Sequence, residues 1–226
     1  MNNDIEKSIV AYYYDQVYPK IWNNDFALAV AEKIMEVSSP VKQINTLEIG
    51  GGSGEHLRFV KNFPEQNYVS LDPRTLDKKF LLKMSRRYKK VRFVQGSVED
   101  IPFANDYFDH IKSTCVLAHV DRLLVSISEL RRVSANNCRI IILMPTDPGL
   151  LNLLIKKLFT YPRINRISKF PAGLIYSLDH KNSHNNILEV LKFVFSEDCI
   201  KISYLPFLFK SSNFNLLSIV KITVRK

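Results

Sequence analysis

Leu47-Glu48-Ile49-Gly50-Gly51-Gly52-Ser53-Gly54 carries an apolar strand into a run of glycines. Glycine accepts the left-handed backbone and lets a ligand approach the main chain, so such a turn at a helix start commonly cradles a nucleotide. A dinucleotide fingerprint needs a glycine at position 55, which is Glu here, so the spacing is Gly50, Gly52, Gly54. Asp72 ends the next strand, where an acid can accept both ribose hydroxyls.

Outward from this stretch, β segments alternate with segments of helical period, as in a parallel sheet covered by helices. Ile44 to Ile49, Tyr68 to Leu71, Val91 to Val94, Phe108 to Ser113 and Arg139 to Met144 read as strands. Helices are expected over Gly54 to Asn62 and Thr75 to Tyr88. Another starts at Asp121, with Leu123, Ile127 and Leu130 on one face, and ends at Asn136-Asn137, which tolerate a left-handed conformation. After Pro145 the rhythm changes. Gly149 to Tyr161 is amphipathic, Pro162 to Ser183 reads as loop and His184 to Phe195 as helix. Ile200 to Phe209 and Leu216 to Val224 read as strands with no helix between them, which makes them antiparallel. At the N-terminus, Tyr14, Tyr18 and Trp22 recur at helical spacing, in a stretch that Pro19 should break or kink; a second helix runs from Asp25 to Ser38.

The 226 residues are 46% hydrophobic and 24% charged, as in a globular chain that needs no disulfide or metal to hold a core. Cys115, Cys138 and Cys199 are odd in number, far apart and without a CxxC pair. That pattern excludes a zinc cluster or disulfide framework, so no metal is expected, and it fits a reducing, cytoplasmic compartment. No signal sequence or membrane span is expected either. Of the net charge of +10, +8 lies in residues 151–226, with twelve Lys and Arg against four Asp and Glu. An anionic partner is suggested there.

Together, Glu48 to Gly54, Asp72, Gly96-Ser97-Val98-Glu99-Asp100-Ile101-Pro102-Phe103, Phe108-Asp109 and Val116-Leu117-Ala118-His119-Val120 resemble class I S-adenosylmethionine-dependent methyltransferases, in the branch acting on quinones, sterols and other small molecules. The similarity covers about residues 45 to 145. It implies an α/β fold: a Rossmann-like seven-stranded sheet, mostly parallel with an antiparallel C-terminal pair and helices on both faces. One domain is expected, with a helical cap (1–40), a cofactor-binding core (41–148), an insertion or lid (149–183) and a C-terminal helix and strand pair (184–226).

The resemblance implies S-adenosyl-L-methionine as cofactor, with Glu48, Gly50, Gly51, Gly52 and Gly54 near its methionine part and Asp72 on the ribose. Ser97, where the family commonly has Asp, and Val98 would flank the adenine. Thr114 and Cys115 would lie beside the methyl group, with Cys115 a packing residue rather than a nucleophile. Tyr14 and its aromatic neighbours would cap the pocket or form a packing stripe. His56, His110 and His119 read as structural, whereas His180 and His184 flank a polar loop in the acceptor half and are the candidate general bases. The expected reaction is methyl transfer to a small-molecule, lipid or lipid-linked glycan acceptor, on oxygen, with peripheral contact at the inner membrane surface. Methylation of RNA or another nucleic acid, using the basic C-terminal third, is the second reading, and a non-catalytic cofactor-binding module the third.

Overall fold

The computed structural model describes residues 2–22, 26–39, 42–52, 54, 57, 59–60, 67–75, 78–207 and 209–226. A seven-stranded sheet runs in the order β3-β2-β1-β4-β5-β7-β6. Its strands are β1 (Asn45–Ile49), β2 (Asn67–Asp72), β3 (Val91–Gln95), β4 (Phe108–Thr114), β5 (Ser134–Pro145), β6 (Cys199–Leu205) and β7 (Leu217–Thr223). The first five pair in parallel, while β7 is antiparallel to both β5 and β6. This is the Rossmann-like sheet expected from the sequence. Because β1 pairs with β2 on one side and β4 on the other, a crevice opens outside its carboxyl end, where such sheets bind ligands.

Helices cover both faces. On one, Leu47, Ile111, Ile140 and Val220 pack with Ile127 and Leu130 of α5 (Leu123–Val133) and Leu191 of α9 (His184–Val194). On the other, Met35 of α3 (Phe26–Ser38) meets Ile141, Leu143 and Ile219, while Met84 of α4 (Lys78–Arg87) meets Tyr68 and Val91. The predicted start of α3 at Asp25, the ring of Trp22, His56 and most of the helix expected over Gly54 to Asn62 lie outside the described residues.

Three expectations need correction. The 162–183 segment is not loop, since it holds α7 (Tyr161–Ile167) and α8 (Ala172–Asp179). Pro162 does not stop the preceding helix: α6 (Leu150–Ile155) passes through a π turn at Lys156–Thr160 into α7. The N-terminal stretch does the same at Pro19, with α1 (Asn2–Tyr12), a π turn at Tyr13–Val17 and α2 (Tyr18–Trp22). In both places the wide turn ends two residues before the proline, and Tyr18 N donates to Tyr13 O, as Tyr161 N does to Lys156 O. A five-residue step there eases the clash of a proline ring with the carbonyl four residues earlier. Finally, Asn137 is left-handed as expected (φ +63°) but does not end α5. It lies in β5, where the pairing with β4 slips between Phe108 and His110.

The cap and the α7–α8 pair share a cluster of their own, in which Ile9, Tyr13 and Val17 pack on Ile164, Ala172 and Ile175. No helix among the described residues is long and apolar enough to cross a membrane.

Candidate active site

At the carboxyl end of β1 the chain turns through Gly50, Gly52 and Gly54, at φ +68°, +53° and +71°, a region that disfavours any side chain. Packing also closes Gly50 and its neighbour Gly51 to larger residues, since a Cβ on Gly50 would sit 2.3 Å from Val116 Cγ2 and one on Gly51 1.9 Å from Ser70 Oγ. The turn is tied to β2, with Gly50 N donating to Leu71 O at 2.8 Å and Gly52 N to Asp72 Oδ2 at 2.9 Å. The second bond fixes the carboxylate across the turn. Asp72 Oδ1 accepts from Arg74 N at 3.0 Å and Arg74 Nε at 2.9 Å, a clamp the sequence did not suggest. A fixed acid at the end of β2, beside three left-handed glycines, fits the ribose and the main-chain contacts of an adenosine-type cofactor.

Glu48 lies beside the turn, near the end of β1, and is engaged within the protein. Its side chain is buried beneath the turn, where Oε2 accepts from Tyr68 Oη at 2.7 Å and Oε1 lies 3.6 Å from Lys112 Nζ. The Lys112 ammonium also stands 5.1 Å from the centre of the Tyr68 ring. Ser70, opposite Glu48 in the β1–β2 register, has a buried hydroxyl without a hydrogen bond. Glu48 thus supports the turn from below. Lys112 and Tyr68 are neighbours of Glu48 that the sequence did not reveal.

Ser97 is exposed and its Oγ accepts from Glu99 N at 3.1 Å, while the Val98 side chain belongs to the core, which leaves its main chain for a ligand. Thr114 is half-buried at the tip of β4. Cys115 follows in the left-handed region, at φ +58°, with its N–H on Leu143 O at 2.8 Å. A non-glycine residue held there marks stored strain beside the crevice.

The polar loop after α8 closes on the loop after β4. Lys181 N and Asn182 N donate to Ala118 O at 2.8 and 3.0 Å, and Asn182 Nδ2 donates to Leu117 O and Val120 O at 3.0 and 2.8 Å. These bonds bring His119 and His180 together, with ring centres 4.8 Å apart and planes 85° to one another. His119 Nδ1 lies 3.2 Å from Asp179 Oδ1 and 3.1 Å from Asp179 O. Tyr14 Oη donates to the same carboxylate at 3.2 and 3.1 Å, so the cap reaches the site. His180 Nδ1 is 3.6 Å from Asp147 Oδ2 just beyond β5, and Lys156 pairs with that same oxygen. The Lys156 ammonium also sits 4.4 Å from the Tyr176 ring centre, and that ring is 4.9 Å from His180.

The electrostatics divide the two histidines. Burial alone would lower the His119 pKa, but the hydrogen bonds and charge of Asp179 and the Cys115 carbonyl outweigh it and leave it above the ordinary value. Burial also works against ionised Asp179, yet His119, His180 and Tyr14 hold its pKa below the usual range. His180 is driven down to about 4, by burial and then by the positive charges of His119 and Lys156. At neutral pH the cluster therefore holds an ionised Asp179 beside a His119 biased toward its charged form, and keeps His180 neutral. The donor atoms of His119, Asp179 and His180 lie within 4.8 Å of one another, ligand types that suit a cation. The nearby Lys156 ammonium opposes a cation there.

His184 does not join them. It is buried, with Nε2 2.9 Å from Ser218 Oγ, Nδ1 3.3 Å from Asn185 Oδ1 and its ring beside Tyr204. We assign it to the packing of α9 on β7 rather than to proton transfer. Asp179 and His119 were the residues to pair with His180, and only the fold brings the two loops together.

Residues 47–142 match a family described as a methyltransferase domain. They form a class I S-adenosylmethionine-dependent methyltransferase domain. The methyltransferase fold extends beyond the match. A methyltransferase of Thermotoga maritima, titled a possible histamine N-methyltransferase, is 14% identical, with 91% of this chain and 93% of that one covered and a TM-score of 0.61. A methyltransferase of Aquifex aeolicus is 13% identical over 91% and 97%, at 0.59. The carbon methyltransferase CurJ is 18% identical over 86% and 54%, at 0.58. No curated protein matches the sequence. The methyltransferase uses S-adenosylmethionine, and Asp72 with the Gly50–Gly54 turn are the candidate residues to hold it.

Proposed function

We propose that this methyltransferase acts on an oxygen of a small-molecule, lipid or lipid-linked glycan acceptor, with His180 taking the hydroxyl proton. One observation carries the reading: a neutral imidazole, flanked by the His119–Asp179 pair and Asp147, stands among the loops that follow β4 and β5. Nitrogen acceptors that are already neutral, and carboxylates, need no such base.

When bound, S-adenosylmethionine supplies an electrophilic methyl group and retains the electron pair of the broken bond as a thioether. The Gly50–Gly54 turn and Asp72 orient it, and the cap and α8 exclude water from the crevice. As the new carbon–oxygen bond forms, the acceptor hydroxyl gains oxonium character and its proton becomes strongly acidic. A weak base therefore suffices, and His180 takes the proton while Asp147 stabilises the imidazolium. The His119–Asp179 pair positions the loop.

Methyl-labelled cofactor offered to soluble and lipid extracts tests the reading. The expected result is label in a methyl ether, whereas label in a methyl ester would count against the base. In His180→Ala, turnover should fall about a hundredfold with an unchanged melting temperature and cofactor affinity. Label on nitrogen or carbon, or full turnover in that variant, would overturn it.

Methylation of nucleic acid is the second reading, favoured by α4. Residues 78–92 contain eight Lys and Arg and no acid, and Lys79, Lys83, Arg86 and Arg87 are exposed. Binding to RNA that weakens steeply with salt, together with label in the RNA, would favour it.

A further inference from the structure

We infer that the exposed apolar side of the 150–159 stretch, together with the aromatic loop between β6 and β7, is a docking surface for an anionic lipid bilayer. Leu150, Leu154, Leu158 and Phe159 are 60%, 53%, 59% and 62% exposed, and α6 buries none of its residues. A helix on a soluble protein normally turns such a stripe to the core, so the outward orientation calls for a partner. The loop supplies Phe207, Phe209 and Phe214, each about half exposed. Their rings cluster, with Phe207 stacked on Phe209 at 5.6 Å and Phe209 at 6.3 Å from Phe214. Loop and helix are joined, because Leu151 N donates to Asn213 O at 2.9 Å and Gly149 lies against Ser212 O.

Charge identifies the occupant. Neither residues 149–170 nor residues 206–216 contain an Asp or Glu, while Lys157, Arg163, Arg166, Lys169 and Lys210 are exposed on them. A second copy of the chain would bring like charges together. An anionic bilayer is complementary, and a helix of this length can lie in its interface but cannot span it. The π turn joins this surface to chemistry, since Lys156 reaches Asp147 beside His180 and the next three residues are exposed. A lipid-borne acceptor would thus meet the site from the docked side. That last step rests on the proposed function, whereas docking itself does not.

The test uses full-length protein in cosedimentation with vesicles of phosphatidylcholine alone or mixed with phosphatidylglycerol. Binding is expected only to the mixed vesicles, weakening with salt. Leu154→Ser with Phe159→Ser, and separately Phe209→Ser, leave the charge unchanged and should each weaken binding about tenfold or more, without changing cofactor affinity. Lys83→Glu with Arg86→Glu on α4 should leave it within about twofold. No binding to anionic vesicles at low salt, serine variants that bind normally, or an equal loss from the α4 variant would overturn the inference. So would a lipid-free dimer that the serine variants abolish. Vesicle binding without methylation of any acceptor would leave docking standing and remove the proposed function instead.

Discussion

Glu48 and Lys112 lie side by side on β1 and β4, with Glu48 Oε1 3.6 Å from Lys112 Nζ and both side chains closed to solvent. Neither charge is affordable alone at that depth, since removing one partner of a buried pair commonly costs about 3 to 5 kcal/mol. Lys112→Met should therefore lower unfolding free energy by roughly that amount, and the added change Glu48→Gln should restore part of it. Chemical denaturation of the two single variants and the double variant measures the coupling. Strictly additive losses would show that the residues do not support the turn as a pair.

Asp72 holds the turn and the ribose position together. Asp72→Ala should weaken S-adenosylmethionine binding by about 1.5 to 3 kcal/mol, the range for a hydrogen bond to a charged group. Arg74 clamps the same carboxylate from an exposed position, at 57% exposure, where an ion pair contributes about 1 kcal/mol at most. Arg74→Ala should therefore leave cofactor affinity unchanged or tighten it by up to about fivefold. Calorimetry with the cofactor and its demethylated product distinguishes the two variants, and a large loss in Arg74→Ala would mean that the guanidinium itself binds the ligand.

Stability should fall on acidification. His110 is buried between Arg139 O, 2.8 Å from Nδ1, and Ser39 Oγ, 3.2 Å from Nε2. Burial foremost, with Lys112 adding to it, pushes its pKa down to about 4. The unfolded chain takes up that proton near pH 6.5 and the folded chain resists it, so the stabilising share is whole above pH 6.5 and shrinks as pH falls toward 4. The His110 share is on the order of 3 kcal/mol. Urea midpoints between pH 7 and 4.5 should fall more steeply in the native protein than in His110→Gln. Parallel slopes would exclude His110 as the source.

The cofactor half of the site was legible because its signals are local. Three glycines between a strand and a helix, and one acid at the next strand end, rarely coincide except around a nucleotide. Lys112 was hidden, since a lysine in an alternating strand reads as solvent-facing and its partner Glu48 is distant in sequence. His180 stood out as a candidate base, but its meeting with His119 was hidden for a related reason, as it depends on Asn182 binding Leu117 O and Val120 O. The helices of residues 161–179 were misread because Pro162 and Pro171 punctuate them. A preceding π turn admits the first, and the second is the N-cap residue of α8, where its carbonyl accepts from Ile175 N and no intrahelical partner is needed for its missing N–H.

Tyr14 separates two roles that the sequence left open, an aromatic wall for the cofactor and a packing stripe. Its ring does pack, 5.3 Å from Tyr13 and 5.4 Å from Tyr18, but its hydroxyl leaves the stripe to donate to Asp179. Burial first, and then the Asp179 charge, raises the phenol pKa, so the donor stays protonated over the working pH range. Tyr14→Phe keeps the ring and removes the donor. As a positioning residue, Tyr14 should then show a turnover loss of about tenfold, because Asp179 is left under-satisfied and holds His119 less firmly, at about 1.5 to 3 kcal/mol for such a bond. Cofactor affinity should be unchanged in Tyr14→Phe and should drop in Tyr14→Leu only if the ring faces the sulfonium. The acid limb of turnover, set by His180, should also shift in Tyr14→Phe, because a less firmly held His119–Asp179 pair changes the charge His180 meets. A Tyr14→Phe enzyme with native turnover and a native pH profile would reduce Tyr14 to its ring and cut the proposed link between the cap and the proton site.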